Sequence, residues 1–214
     1  MKLSNLITVF FAIMLFVSLS CGKDEVEKQS SQKLNEKKEN LQQNKTAEQK
    51  EVTDKTSSIK LFKVDKTEKS AGKKIAPNFY WTEDGKQISL KDLKGNVVLV
   101  NFWATWCGPC IKEMPDLSSI FAELKDKNFK MIGMNVFQQP NSKKVDDFLK
   151  TNPVTYMVLD GNQELVDAFS EADGSKIEAV PTTFIINKEG KISETIVGAR
   201  DKATFLKSIN KYLN

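Results

Sequence analysis

Hydrophobic patterning divides the chain into three regimes. A predominantly apolar run covers Leu6 to Leu19. A polar stretch rich in Lys, Glu, Gln, Ser, Asn and Thr follows, from Gly22 to about Gly72. From Lys73 to Asn214 apolar positions recur with the periods of strands and helices. Phe79–Trp81 and Gln87–Ser89, around Glu83-Asp84-Gly85, predict a β-hairpin. Asn96–Trp103 is apolar almost throughout, as a strand buried on both faces should be. Ile111, Met114, Leu117, Ile120, Phe121 and Leu124 mark one face of a helix over about 107–126, with Pro115 expected to kink it. A strand at Phe129–Val136 is followed by a helix at about Ser142–Lys150, with Ser142 as N-cap. Thr155–Leu159 reads as a strand and Gln163–Phe169 as a short helix. Thr182–Asn187 and Lys191–Val197 flank Lys188-Glu189-Gly190 as a second hairpin, and a last helix spans about Lys202–Leu213. That order predicts an α/β domain: a central mixed sheet with helices on both faces and an N-terminal hairpin extension.

The other two regimes have different physics. Lys2 followed by the short apolar run has the form of a secretory signal, and the run is too short for a comfortable membrane span. It ends at Val17-Ser18-Leu19-Ser20-Cys21-Gly22, and a small residue directly before a cysteine resembles a bacterial lipoprotein signal. That resemblance implies cleavage and a lipid on Cys21. Ordinary signal-peptidase cleavage and an uncleaved anchor are the other readings, since Ser18 stands where such signals usually carry Leu. Residues 1–20 are thus taken as signal peptide and 21–72 as a charged tether whose composition buries too little surface to offset its ordering entropy. About fifty flexible residues reach roughly 40 Å.

Composition removes several functions. The net charge is +4, with basic residues interspersed among acidic ones, so no nucleic-acid-binding stripe is present. The chain has no histidine, which excludes His acid–base chemistry and His metal ligands. Its three cysteines are Cys21, Cys107 and Cys110. A structural zinc site takes four Cys or His ligands, so one within this chain is not expected and no metal or other cofactor is assigned.

Cys107-Gly108-Pro109-Cys110 is the chemical signature. It lies between the predicted apolar strand and the predicted helix, so Cys107 falls at a helix N-terminus. Unpaired N–H groups and the macrodipole stabilise a thiolate there, and a thiolate is what attacks disulfides. A CxxC pair in that setting points to dithiol–disulfide exchange.

The element order, Trp106-Cys107-Gly108-Pro109-Cys110 and Val180-Pro181-Thr182 resemble the thioredoxin superfamily. Within it, Ala76-Pro77-Asn78-Phe79, the stretch Leu90–Trp103, Cys110–Pro115 and Val180–Asn187 are most similar to TlpA/ResA-type extracytoplasmic thiol–disulfide oxidoreductases. The resemblance covers 73–214 and implies a thioredoxin fold. It implies Cys107 as the exposed nucleophile, Cys110 as the buried resolving thiol and Trp106 as a shield over the pair. Gly108 and Pro109 complete the surface met by substrate. Pro181, which alone would read as a strand-start proline, becomes a cis-proline facing the disulfide. Val180 would then pair its backbone with an extended substrate segment.

Glu113 matches an acidic position of the subfamily and lies about one helical turn past Cys110. Alone it would read as a solvated helix residue. The resemblance implies a carboxylate that exchanges protons with the buried thiol. Cytoplasmic thioredoxins carry a buried Asp at the position of Asn101; an amide cannot take up a proton, so if a general base assists Cys110, Glu113 is the best candidate in the sequence. The stretch 169–179 is longer and more acidic than a short connection, and reads either as a harmless insertion or as a rim that selects substrate.

The resemblance further implies disulfides of exported proteins as substrates, apocytochrome c among them, and re-reduction by a membrane donor of the DsbD or CcdA type. The expected location is the outer, periplasmic side of a membrane, held by the lipid on Cys21. Three alternatives stay open: a disulfide-forming oxidant, a peroxiredoxin-like peroxidase and a non-enzymatic binding lipoprotein of the same fold. Peroxiredoxins place Thr or Ser three residues before the reactive cysteine and Pro seven before; here those positions are Ala104 and Val100.

Overall fold

The computed structural model describes residues 60–213. The signal, Cys21 and most of the proposed tether lie outside the described residues.

Among the described residues, nine strands form two sheets. β1 (Leu61–Lys63), β5 (Val97–Trp103), β6 (Phe129–Asn135), β7 (Met157–Asp160), β8 (Thr182–Ile186) and β9 (Ile192–Val197) make a six-stranded sheet in the order β1-β7-β6-β5-β8-β9. β1, β7, β6 and β5 are parallel, while β8 and β9 run antiparallel to their neighbours. β2 (Lys66–Glu68), β3 (Asn78–Glu83) and β4 (Lys86–Ser89) make a separate antiparallel sheet. This is the thioredoxin-like α/β architecture with an N-terminal antiparallel extension. The β3–β4 turn places Asp84 and Gly85 at φ 52° and 75°, the left-handed conformations a two-residue hairpin demands.

Among the described residues, four α-helices pack on the main sheet: α1 (Gly108–Leu124), α2 (Val145–Thr151), α3 (Gln163–Asp173) and α4 (Lys202–Leu213). β5 is buried along its whole length, and its alternation divides the interior. Val97, Leu99 and Trp103 pack beneath α1, α2 and α4, with Leu117, Ile120, Phe148 and Phe205. Val98, Val100 and Phe102 point to the other side, against α3 and the small sheet, where Phe79, Trp81, Phe169 and Phe184 fill an aromatic layer.

The structure corrects the expected boundaries in three places. The domain starts near Lys60 rather than Lys73: Leu61–Lys63 pairs in parallel with Val158–Asp160, and Lys66–Glu68 pairs with Asn78–Tyr80. Phe62 and Val64 pack against the aromatic layer, so this short apolar island lies in the fold instead of the tether. α2 begins at Val145 with Lys144 as N-cap and no side-chain cap. Ser142 instead bonds Gln138 and the Gln139 carbonyl within the preceding loop. α3 continues past Phe169 to Asp173 and ends on Gly174 in the left-handed conformation. Much of the acidic 169–179 stretch is therefore helix. As expected, Pro115 lies inside α1, on its exposed side.

Candidate active site

The β5–α1 junction carries the cysteines. β5 ends at Trp103 in the buried sheet, and three residues later the chain turns into α1. Cys107 is the N-cap, in extended backbone conformation, and Pro109 occupies the first turn, where its missing N–H costs nothing. Cys107 and Cys110 form a disulfide with Cα atoms 5.3 Å apart. The Cys110 backbone N–H donates to Cys107 Sγ at 3.2 Å. On reduction that N–H and the positive helix end would both favour negative charge on Cys107.

Both cysteines are covered in this oxidised form, Cys107 being 3 % exposed and Cys110 1 %. The resemblance implied an exposed Cys107; the structure corrects this, since in the disulfide form Cys107 is buried in the same cluster as Cys110. The Cys107 sulfur lies 3.5 Å from the Val180 carbonyl oxygen, which closes one side. The Val180–Pro181 peptide is cis, placing Pro181 and Val180 across the disulfide from α1. Trp106 is exposed, and its indole Nε1 donates to the Phe137 carbonyl at 2.8 Å. Thr105 Oγ1 bonds Gln138 and the Lys143 carbonyl. These bonds tie the cysteine loop to residues 137–143, which border a cleft of about 740 Å³ lined also by Leu61, Lys63, Lys144 and Asp160.

Glu113 is buried under α1, contrary to a solvated helix residue. Asn101 Nδ2 donates to its Oε1 at 2.9 Å and to Thr183 Oγ1 at 2.9 Å. The Arg200 backbone N–H lies 3.4 Å from Oε2. Burial raises the Glu113 pKa from 4.5 to about 7, against the lowering pull of Asn101, the Arg200 amide and the Arg200 charge. Desolvation prevails because, among the described residues, no side-chain cation bonds the carboxylate directly. The result is an acid that titrates near neutrality, on the same helix face as Cys110 one turn earlier. Among the described residues no group of His, Cys, Asp and Glu is placed to hold a metal ion.

Thus Trp106, Cys107, Gly108, Pro109, Cys110, Glu113, Val180 and Pro181 are brought together, while Cys21 lies outside the described residues. Three neighbours were missed in the sequence. Val197 is an exposed apolar residue at the end of β9, opposite Thr182 and beside the Gly198 N–H that bonds the Pro181 carbonyl. Arg200 folds its guanidinium onto the Val197 and Ala199 carbonyls, bracing that loop. It is the only arginine in a lysine-rich chain, a compositional signal that could have singled it out. Thr183 joins through Asn101 and had no signal of its own.

Comparison with known proteins agrees with this geometry. The Redoxin family profile matches residues 70–213. Thiol-disulfide oxidoreductase ResA of Bacillus anthracis is 36 % identical over 143 residues, 66 % of this chain and 78 % of that protein. ResA of Bacillus subtilis (strain 168) is 35 % identical over 141 residues, 65 % of this chain and 72 % of its own. Among solved structures, a thioredoxin-family thiol:disulfide interchange protein from Chlorobium tepidum TLS superposes with a TM-score of 0.57 at 37 % identity. That match covers 68 % of this chain and 99 % of the other.

Proposed function

The chain belongs to the Redoxin family and is a thiol–disulfide oxidoreductase, and we propose that it is a membrane-tethered reductase of exported protein disulfides. The carrying observation is the Cys107–Cys110 disulfide at the start of α1, with a backbone N–H on Cys107 Sγ and a carbonyl facing it. In the proposed cycle the Cys107 thiolate attacks a substrate disulfide, forming one mixed S–S bond and releasing one substrate thiolate. Cys110, its proton passed to Glu113, then attacks Cys107 Sγ. The Cys107–Cys110 bond closes, the second substrate thiolate leaves, and two electrons have moved to substrate.

Substrate would lie across Trp106, Gly108-Pro109, Val180 and Val197, with its backbone running beside Val180 and Pro181. The apolar, exposed character of Trp106 and Val197 supports an unfolded or extended segment as the ligand. An apocytochrome c carrying its haem-site cysteines as a disulfide is one substrate of that kind. A lipid on Cys21 would hold the domain on the outer side of a membrane, where disulfides persist. Re-reduction there requires a dithiol donor, for which we assign a membrane protein of the DsbD or CcdA type.

The test is the reduction potential of the purified chain, equilibrated against defined thiol buffers. A value near that of thioredoxin, about −270 mV, is expected. A value near about −120 mV would reassign the protein as a disulfide-forming oxidant. Absence of a measurable couple would leave a binding module.

A further inference from the structure

The strip of sheet beneath Glu113 holds buried polar atoms that the protein does not satisfy. Tyr156 Oη, Trp103 Nε1 and both amide atoms of Asn135 are buried without a hydrogen-bond partner among the described residues. Register brings them together. Asn101 is paired with Gly133, and Trp103 with Asn135, across the parallel β5–β6 ladder. Paired and alternate residues share a face, so Asn101, Trp103, Gly133 and Asn135 sit on the side that α1 covers.

Gly133 makes room there. A Cβ at that position would lie 2.9 Å from Tyr156 Cε2 and 3.3 Å from Trp103 Nε1. The Tyr156 ring and the indole N–H therefore occupy the space above Gly133. The strand neighbour of Gly133 is Asn101, the residue that holds Glu113. Thr155 Oγ1 also donates to the Ser118 carbonyl of α1 at 3.0 Å. That bond draws the segment before β7 under the helix that carries Glu113.

Leaving such groups dry is costly, and buried polar atoms without a protein partner commonly bind an ordered water with about three hydrogen bonds. The chemistry here fits one. Trp103 Nε1 is a donor only, Tyr156 Oη donates and accepts, and a carboxylate accepts. We propose that Tyr156 and Trp103 hold an ordered water against the Glu113 carboxyl group. Tyr156 is then a positioning residue that sets the pH at which Glu113 exchanges its proton with Cys110. The inference rests on the reading of Glu113 as proton partner in the proposed cycle.

Burial, with the Glu113 charge adding to it, raises the Tyr156 pKa, so its hydroxyl keeps its proton while Glu113 titrates. The other titratable groups facing Glu113 are Arg200, from the β9–α4 connection, and Cys110 on its own helix. β5 and β8 present Asn101 and Thr183, which do not titrate.

The experiment follows the rate of disulfide exchange against pH for the reduced full chain, with Tyr156→Phe, Glu113→Gln and the double variant. Tyr156→Phe keeps the ring and removes the hydroxyl. It withdraws a bond that favours the ionised carboxylate, so the midpoint moves upward by about one pH unit, tenfold in the proton equilibrium. Adding it to Glu113→Gln moves nothing. Trp103→Phe removes the indole donor and moves the midpoint in the same direction, which keeps the test alive if Tyr156→Phe fails to fold. A midpoint that Glu113→Gln moves but neither aromatic variant moves overturns the water site alone, as does a Tyr156→Phe shift that persists in Glu113→Gln. A profile that Glu113→Gln leaves unmoved overturns the Glu113 reading and this proposal with it.

Discussion

Two buried carboxylates sit on opposite faces of the same sheet and behave in opposite ways. Asp173 ends α3 and is 7 % exposed; Glu113 lies in α1 and is 3 % exposed. Asp173 receives the Lys74 ammonium, the Ser175 hydroxyl and the Thr195 hydroxyl. Burial opposes its ionisation, but those bonds and the Lys74 charge outweigh it and hold its pKa below the usual range. Glu113 receives one amide N–H and one long backbone N–H, and its pKa rises to about 7. Burial alone does not make an acid reactive. The difference is the cation: Asp173 has one in contact, while Arg200, whose charge acts on Glu113, spends its guanidinium on the Val197 and Ala199 carbonyls. One acid braces the strap at Lys74 against α3 and β9; the other is poised to gain or lose a proton.

The largest effect expected from this contrast is on the pH dependence of stability. The Glu113 pKa is raised in the folded state, so between pH 4.5 and about 7 the unfolded chain has lost a proton that the folded chain retains. Stability then falls as pH rises through that window and levels off above it, by a total of about 3 kcal/mol. Glu113→Gln removes this slope. Urea unfolding of the oxidised protein at stepped pH should show the wild-type curve dropping relative to the variant. Parallel curves across the window would place the Glu113 pKa near its ordinary value and dissolve the comparison.

Asp173→Asn should act with the other sign and no effect on chemistry. A lowered folded pKa gives stabilisation that is complete at neutral pH and is lost as pH falls through the folded pKa, below 3.8. The loss at pH 7 should be about 1–3 kcal/mol, with the charge contribution discounted because Lys74 is half exposed. Exchange rate per folded molecule should match wild type. A slowed reaction at unchanged stability would instead make the α3 end part of the substrate rim.

How far each acid could be read from the sequence follows from how local its surroundings are. The strand–CxxC–helix unit is contiguous in the chain, and β5's unbroken apolar run announces a central strand, so the disulfide's placement was legible. Glu113 was legible as a candidate only through the family resemblance, since its position one turn past Cys110 reads by itself as a solvated helix residue. Its burial was not, because that depends on Asn101 on the strand below, twelve residues away, and on Arg200 from the far end of the chain. Asp173 read as part of an acidic loop since Ser170-Glu171-Ala172-Asp173 carries no apolar period that marks a helix. Its partners, Lys74 and Thr195, come from distant segments. β1 was missed for the same reason. Leu61-Phe62 is too short to show a period inside a polar stretch, and it becomes a strand only by pairing with β7 almost a hundred residues later.

The smallest of these effects would sharpen the contrast most, because it changes the neighbour and not the acid. Asn101→Asp replaces the amide that donates to Glu113 and Thr183 with a second carboxyl group in the same buried place. Two carboxyl groups within hydrogen-bond distance cannot both ionise readily; one keeps its proton and donates it to the other. The pair should titrate in two steps, one below and one above the wild-type midpoint. The upper step should lie higher by on the order of one pH unit, about 1.4 kcal/mol. Exchange kinetics against pH would then broaden upward, and Glu113→Gln in that background should restore a single step. A single unmoved midpoint in Asn101→Asp would mean that water reaches the Glu113 site freely enough to screen a neighbouring charge. The opposite behaviours of Glu113 and Asp173 would then owe nothing to the contacts at position 101.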